Sequence, residues 1–267
     1  MRTVINDITR QACWIVREIE SYFCPTRKVD SSSTVEATPS SNGTDTNLLV
    51  PQNTRESLFR RSRRNILFLH VPKCGGSFVE QAFLPWIRRC PSRRIRDARG
   101  HLTYCEYTQV FDRHRVDLAS MHVFTVVRNP WAWHVSWFHY LKEDYGRGQS
   151  GMPTEVELFQ DYDFSDYLRW LADDEAPTSP TRYIRKQQLD YLTDASGTVA
   201  VDRILRQERL ADDLARMATE LDLAVTVPQC RANSSSHGHY REYYDDFGID
   251  LVARRHRDDI ETFGYTF

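Results

Sequence analysis

The sequence predicts an α/β fold, a three-layer sandwich with a mostly parallel central sheet. Two stretches support this prediction, residues 65–80 and residues 122–140, because each reads as a short apolar run, a turn and then a helix. Nearly continuous apolar runs of this length are typical of strands that are buried on both faces of a parallel sheet. The helices that follow such strands would cover those faces.

The length of 267 residues suffices for one domain with extensions before it. Residues 3–24 carry apolar side chains at steps of three and four, which predicts a helical extension at residues 1–29. Small polar residues dominate residues 30–46 and predict a flexible linker, which we place at residues 30–60. The main domain would then span residues 61–267.

Charge and cysteine usage exclude several classes of function. The 35 basic and 37 acidic residues nearly cancel, so no overall field favours nucleic acid as a partner. The six cysteines show no Cys-x-x-Cys pair, and we expect no metal site. No stretch reaches the ~18 to 20 apolar residues of a membrane span, and the N-terminal stretch lacks the apolar core of a signal peptide, so we expect a cytoplasmic protein.

The first strand-turn-helix stretch has the features of an anion site. Residues 66–71 form the apolar run, and Pro72 ends it because proline has no backbone donor. Gly75 and Gly76 allow a tight turn, and Ser77 is expected to cap the helix that follows. Backbone N–H groups, the positive end of the helix dipole and the charge of Lys73 would converge at this turn.

The order of residues in this turn distinguishes between two nucleotide sites. A site for ATP and Mg²⁺ requires Gly-Lys-Ser/Thr at the end of the loop, whereas Lys73 precedes both glycines and is followed by Cys74. The hexapeptide Pro-Lys-Cys-Gly-Gly-Ser instead resembles the 5′-phosphosulfate loop of sulfotransferases, whose usual form is close to Pro-Lys-Thr-Gly-Gly-Thr/Ser. This resemblance implies that the loop binds 3′-phosphoadenosine 5′-phosphosulfate through Lys73, Cys74, Gly75, Gly76 and Ser77.

A basic segment follows the first helix, with six arginines between residues 88 and 99. Dense guanidinium groups suit bidentate recognition of sulfate, carboxylate or phosphate. The same composition is equally typical of an exposed surface loop, and both interpretations remain open.

The second strand-turn-helix stretch places one more cation at the end of a strand. Residues 123–127 are a β-branched strand, Asn129 is a favourable N-cap, and Pro130 suits the first helical position. Arg128 therefore lies at the carboxyl end of a strand, where open α/β sheets bind their ligands. Ser136 falls about two turns into the helix, and both side chains can face one phosphate.

This second stretch resembles the sulfotransferase signature in which an arginine and a serine bind the 3′-phosphate of the nucleotide. Arg128, Asn129, Pro130 and Ser136 match that signature, whereas Trp133 replaces a second arginine that is common there. One stretch resembles the site for the 5′-phosphosulfate and the other the site for the 3′-phosphate of the same nucleotide. Two such stretches about 55 residues apart are much less expected by chance than either alone.

Three further elements complete the predicted domain. A helical piece at residues 164–171 would form part of the cover on the acceptor side, and residues 198–204 are predicted to be another strand. Residues 208–221 carry a helical stripe of Leu210, Leu214, Met217 and Leu221, which we interpret as core.

The last residues, Asp-Ile-Glu-Thr-Phe-Gly-Tyr-Thr-Phe at 259–267, resemble the C-terminal part of membrane-associated-type carbohydrate sulfotransferases and their bacterial relatives. In those proteins a polar loop, matched here by residues 231–244, closes over the nucleotide. The resemblance thus covers residues 65–267 and implies a P-loop NTPase-like sulfotransferase fold. It also implies 3′-phosphoadenosine 5′-phosphosulfate as donor without a metal, and a hydroxyl acceptor, a glycan or a glycolipid.

Transfer of a sulfuryl group requires a side chain that stabilises the negative charge of the leaving phosphate, and a base that takes the proton of the acceptor. Lys73 suits the first role. Histidine suits the second at neutral pH, and nine histidines compete for it. His101 resembles the base of related glycan sulfotransferases, whereas we expect His70 and His122 to be structural, and Glu106 is the reserve base.

Two other functions remain possible on the sequence alone. A P-loop kinase or NTPase would require Mg²⁺ and ATP, and it is opposed by the misplaced lysine and the lack of a clear Walker B acid. A noncatalytic module that binds a nucleotide or a polyanion would fit the arginine segment. It would keep its binding and its biological role when His101 is replaced by alanine.

Overall fold

The structure is a computed structural model, and it describes residues 65–146, 158–175, 183–227 and 238–267. The predicted helical extension at residues 1–29 and the predicted linker at residues 30–60 lie outside the described residues. Half of the polar loop in the C-terminal resemblance, residues 231–237, also lies outside them.

The described residues contain a three-stranded parallel sheet in the order β1-β2-β3, formed by β1 (Ile66–Leu69), β2 (His122–Val127) and β3 (Arg203–Arg206). In the register of the sheet, Ile66 pairs with His122 and Phe124 pairs with Arg203. Every residue of β1 and β2 is buried, so both faces of these strands are covered. The predicted α/β class with a parallel sheet is confirmed.

Nine α-helices surround the sheet within the described ranges. They are α1 (Gly76–Ile87), α2 (Tyr104–Arg113), α3 (Pro130–Gly146), α4 (Leu158–Asp161), α5 (Phe164–Ala172), α6 (Leu189–Leu192), α7 (Leu210–Glu220), α8 (Asp246–Arg255) and α9 (Arg257–Phe263). Short 3₁₀ turns occur at Pro91–Arg94, Arg96–Ala98, Leu118–Ser120, Gln207–Arg209 and Tyr240–Tyr243. A search of the described residues finds no helix with the length and apolar content needed to cross a membrane.

Helix α2 was not predicted, although its start has a recognisable sequence signature. The Thr103 side chain accepts the Glu106 N–H at 3.2 Å, and the Glu106 carboxylate accepts the Thr103 N–H at 2.7 Å. This reciprocal pair is a capping box, which satisfies two backbone donors at a helix start. The spacing Thr-x-x-Glu was therefore present in the sequence and indicated a helix start.

The third strand begins later than predicted. We expected residues 198–204, but Val199 instead forms an isolated antiparallel bridge with Thr193. The carboxylate of Asp202 accepts the backbone N–H of Val123 at 2.8 Å, and the Asp202 N–H donates to the Val123 carbonyl at the same distance. Regular pairing with β2 therefore starts only after Asp202.

The helix predicted at residues 208–221 is present as α7, which begins at Leu210 after a 3₁₀ turn. Leu210, Leu214 and Met217 are buried, which confirms that this stripe belongs to the core. The helix predicted at residues 164–171 is α5. The largest fully buried side chains include Trp133, Tyr167, Tyr191, Phe83 and Phe111.

Candidate functional site

The loop between β1 and α1 has the backbone conformation of an anion site. Lys73 and Gly75 both have positive φ angles, 61° and 85°. The Gly75 carbonyl accepts hydrogen bonds from the N–H groups of the third and fourth residues of α1 at 3.0 and 3.2 Å. The first N–H groups of a helix have no partner within it, so those of Gly76 and Ser77 suit an anion. Gly75 is the N-cap, so the prediction that Ser77 caps the helix was wrong; Ser77 lies in its first turn.

Close packing around this loop requires glycine at two positions. A Cβ atom added at Gly76 would overlap the imidazole of His70, and one added at Gly75 would lie 2.8 Å from the Leu210 side chain. The loop therefore passes tightly between the end of β1 and helix α7. This contact also shows that His70 packs directly on the loop.

The second strand-turn-helix stretch, from β2 to α3, forms as predicted. It contacts the loop between β1 and α1. The side-chain oxygen of Asn129 accepts two N–H groups in the first turn of α3, from Trp131 and Ala132, at 3.1 and 3.2 Å. Arg128 directly precedes this cap, and one of its guanidinium nitrogens donates to the Lys73 carbonyl at 3.2 Å. The loop after β1 and the residue after β2 are thus in direct contact, through the Lys73 carbonyl and the Arg128 guanidinium.

One face of α3 lies against the loop. The indole N–H of Trp133 donates to the Pro72 carbonyl at 2.7 Å, and the Lys73 ammonium lies 3.8 Å from the centre of the Tyr140 ring. Positions 133, 136 and 140 share a helix face. Ser136, which is 6% exposed, therefore lies on the face that contacts the loop.

His101 lies beside the loop with a defined tautomer. Its Nδ1 is 3.1 Å from the His70 carbonyl oxygen, and because a carbonyl can only accept, Nδ1 carries the hydrogen. The Nε2 atom is then the nitrogen that can take a proton. The pKa of His101 is lowered to about 4, because burial and, to a smaller extent, the charge of Lys73 lower it by more than the hydrogen bond to His70 raises it.

The other candidate bases have structural surroundings. Glu106 forms the capping box of α2. The His70 ring lies 4.4 Å from that of His101, and burial, His101 and the nearby Lys73 hold its pKa well below the usual value. His122 is buried at the start of β2, 3.9 Å from the Asp202 carboxylate.

The arginine segment, residues 88–99, lies on the surface, and one of its arginines forms an ion pair with α1. Arg93 forms an ion pair with Glu80 at 2.6 Å, and the guanidinium of Arg89 lies 4.8 Å from the centre of the Trp86 ring. The exposed arginines of the segment are Arg88, Arg89, Arg94, Arg96 and Arg99. The interpretation of a surface segment agrees with this exposure, and recognition of an anion by it stays a prediction.

Two residues of the site were missed in the sequence. The carboxamide of Gln188 bonds to both backbone groups of Arg128, at 2.8 and 2.7 Å. Glu208 accepts the N–H of Asn129 at 2.6 Å and the hydroxyl of Tyr265 at 3.1 Å. Glu208 lies two residues after the end of β3, so the rule that ligands bind at the carboxyl ends of strands would have indicated it. No signal in the sequence indicated Gln188.

The C-terminal residues contact the turn between β2 and α3. The Asn129 side-chain amide donates to the Thr266 carbonyl at 2.9 Å. The Tyr265 ring lies under the Arg206 guanidinium, 4.7 Å from ring centre to Arg206 Cζ. Sequence similarity at residues 259–267 thus coincides with a direct contact to the N-cap of α3.

The described residues contain no cluster of three or more His, Cys, Asp or Glu side chains that could hold a metal ion. In the comparison with protein families, the model of the sulfotransferase family matches residues 56–266. Neither the curated proteins nor the solved structures include a match to the chain.

Proposed function

The chain belongs to the sulfotransferase family, and from this premise we propose that it transfers a sulfuryl group from 3′-phosphoadenosine 5′-phosphosulfate to a hydroxyl group of a carbohydrate. The acceptor would be a glycan or a glycolipid. The main support is that Arg128, directly after β2, donates to the backbone carbonyl of Lys73, in the loop after the neighbouring strand β1. Each lies at a separate phosphate-type helix start, as a nucleotide with phosphates on both sides of its ribose requires.

The donor's 5′-phosphate would be held by the loop. Its glycines leave the backbone uncovered, and the first N–H groups of α1 suit an anion. Burial raises the pKa of the Cys74 thiol well above its usual value, so this residue would contribute its backbone only. The proposed contacts are Lys73, Cys74, Gly75, Gly76 and Ser77.

The donor's 3′-phosphate would be held by Arg128 and Ser136. Arg128 already contacts the loop through the Lys73 carbonyl, and Ser136 lies on the face of α3 whose neighbours Trp133 and Tyr140 contact that loop. A guanidinium and a hydroxyl suit a dianionic phosphate because both donate hydrogen bonds to it.

The donor supplies the sulfuryl group, and the residues of the site would stabilise its in-line transfer. The acceptor oxygen forms a bond to sulfur while the bond from sulfur to the bridging oxygen of the 5′-phosphate breaks. Lys73 would stabilise the charge that develops on that bridging oxygen. Nε2 of His101 would take the proton of the acceptor hydroxyl, since its Nδ1 hydrogen is committed to the His70 carbonyl.

Calorimetric titration tests the donor site directly. We expect 3′-phosphoadenosine 5′-phosphate to bind without metal, and Lys73→Ala and Arg128→Ala each to weaken binding at least about tenfold, because each removes a charged partner of a phosphate. Arg169→Ala is the matched control, since Arg169 is an exposed arginine that pairs with Asp166 on α5.

Parallel titration with ATP and Mg²⁺ identifies the competing function. Binding of ATP only with Mg²⁺, and no binding of the bisphosphate, would contradict the proposal and favour a kinase or NTPase. If the bisphosphate binds as expected, transfer of labelled sulfate from the donor to a panel of glycans and glycolipids then identifies the acceptor.

A further inference from the structure

Gln188 connects the two phosphate subsites of the proposed donor site. Its side-chain oxygen accepts the N–H of Arg128 at 2.8 Å, and its side-chain nitrogen donates to the carbonyl of the same residue at 2.7 Å. The thiol of Cys74, inside the phosphate loop, lies 3.4 Å from the same oxygen of Gln188. One fully buried carboxamide therefore contacts both the loop after β1 and the residue after β2.

The backbone of Gln188 is itself fixed by a carboxylate from α9. The two oxygens of Asp259 accept the backbone N–H groups of Gln188 and Leu189 at 2.9 and 2.7 Å. Asp259 is fully buried. The side chain of Gln188 is thus placed by a carboxylate that is 71 residues away in the chain.

Behind Asp259 lies a buried chain of hydrogen bonds that ends on α5. His256 Nδ1 lies 2.9 Å from Asp259, His256 Nε2 lies 2.8 Å from His134 Nε2, and His134 Nδ1 lies 2.7 Å from the Tyr167 hydroxyl. All four side chains are nearly inaccessible to solvent. A network of this kind gives its members a fixed geometry only if every donor meets an acceptor.

The protons of this chain can be assigned in one consistent direction. Because the Asp259 carboxylate accepts, His256 Nδ1 carries a hydrogen, and in the neutral tautomer with that hydrogen its Nε2 accepts. His134 Nε2 then donates to His256, and His134 Nδ1 accepts from the Tyr167 hydroxyl. Burial, with the neighbouring His256, holds the pKa of His134 well below its usual value, which agrees with a neutral His134 imidazole.

We propose that Gln188 is a positioning residue that fixes the distance between the 5′-phosphate and 3′-phosphate subsites, and that the Asp259–His256–His134–Tyr167 chain holds it in place. The inference rests on the proposed donor site. A ligand that bridges two subsites gains affinity only when their separation matches the ligand. Gln188 would therefore act on the coupling of the two subsites and would touch neither phosphate.

The test compares three nucleotides by calorimetric titration: 3′-phosphoadenosine 5′-phosphate, adenosine 5′-phosphate and adenosine 3′-phosphate. Gln188→Met keeps the length of the side chain and removes its hydrogen bonds to Arg128. We expect the affinity for the bisphosphate to fall about tenfold, as for the loss of hydrogen bonds to a buried group, and the affinity for either monophosphate to change much less.

Gln187→Ala is the matched control. The Gln187 side chain also joins this segment to α9, through the Asp258 carboxylate at 3.0 Å and the Asp259 N–H at 3.3 Å, but these contacts do not involve Arg128. We expect this variant to bind all three nucleotides as the wild type does. Gln188→Ala serves as the second variant if Gln188→Met does not fold, and thermal unfolding is recorded for each protein.

The outcomes separate the inference from the proposed function. Equal losses for all three nucleotides, or no loss for the bisphosphate in a folded Gln188 variant, would overturn the positioning role alone. Failure of the wild-type protein to bind the bisphosphate would overturn the proposed donor site, and the positioning role with it.

Discussion

A single hydrogen bond determines which nitrogen of His101 can act as a base. The His70 carbonyl holds the Nδ1 hydrogen, so the proton of an acceptor can go only to Nε2. The low pKa keeps this imidazole neutral at physiological pH, which a base requires. The same carbonyl fixes the ring orientation, because the bond has one favoured geometry.

Replacement of His101 by asparagine separates orientation from proton transfer. The asparagine amide can still donate to the His70 carbonyl, but it has no basic nitrogen. We expect kcat to fall about 10²- to 10⁴-fold, the usual contribution of a general base, while the Kd for 3′-phosphoadenosine 5′-phosphate stays close to the wild-type value. His114→Asn is the control, because this side chain is 44% exposed. An unchanged kcat in His101→Asn would exclude His101 as the base.

At the scale of an element, variants at the start of α2 distinguish two roles of Glu106, as a helix cap and as a base. Glu106 accepts the Thr103 N–H, and glutamine at this position preserves a capping box. We expect Glu106→Gln to keep both stability and kcat, and Glu106→Ala to lose about 1 kcal/mol of unfolding free energy while keeping kcat. Urea denaturation and initial rates measure the two effects. Loss of kcat in the glutamine variant would show that Glu106 takes the proton.

The elements that the sequence predicted are those whose signals are local. The turn at Gly75 and the cap at Asn129 each depend on neighbouring residues, and the structure has both, whereas β1 ends at Leu69, before the end predicted at Pro72. The start of β3 was misplaced because it depends on Asp202, which bonds to Val123, 79 residues away. Hydrophobic pattern alone could not show that contact.

The supporting residues of the site were not predicted for the same reason, because their contacts are also distant in sequence. Trp133 was noted only as a substitute for an arginine, whereas its indole supports the loop through Pro72, 61 residues earlier. Gln188 acts on Arg128 from 60 residues away, and its own sequence surroundings resemble those of any polar turn. Side chains that support a site from a distant segment have no local pattern.

At the scale of the whole molecule, three histidines with lowered pKa values couple stability to pH. Burial lowers the pKa values of His70, His101 and His134 below the usual value of 6.5. Below that pH the unfolded chain therefore binds more protons than the folded one, and the folded state loses stability as the pH falls. Above about pH 7.5 these three groups are neutral in both states and contribute no pH dependence.

Urea denaturation across pH measures this coupling. We expect the free energy of unfolding to fall between pH 7 and pH 5, with each of the three histidines contributing at most about 1.4 kcal/mol per pH unit. In His101→Asn the slope should be smaller, since one of the three groups is removed. A free energy that rises toward pH 5 would contradict the assignment of neutral buried imidazoles.

The bond between Asn129 and the Thr266 carbonyl joins residues 137 positions apart. Contacts at such long sequence separation form late, because a long loop must close before they contribute. The sheet and α1 can assemble from earlier segments, but the proposed second phosphate subsite gains this support only when residue 266 is in place. We therefore expect the ability to bind the complete nucleotide to be acquired late in folding, after the sheet has formed.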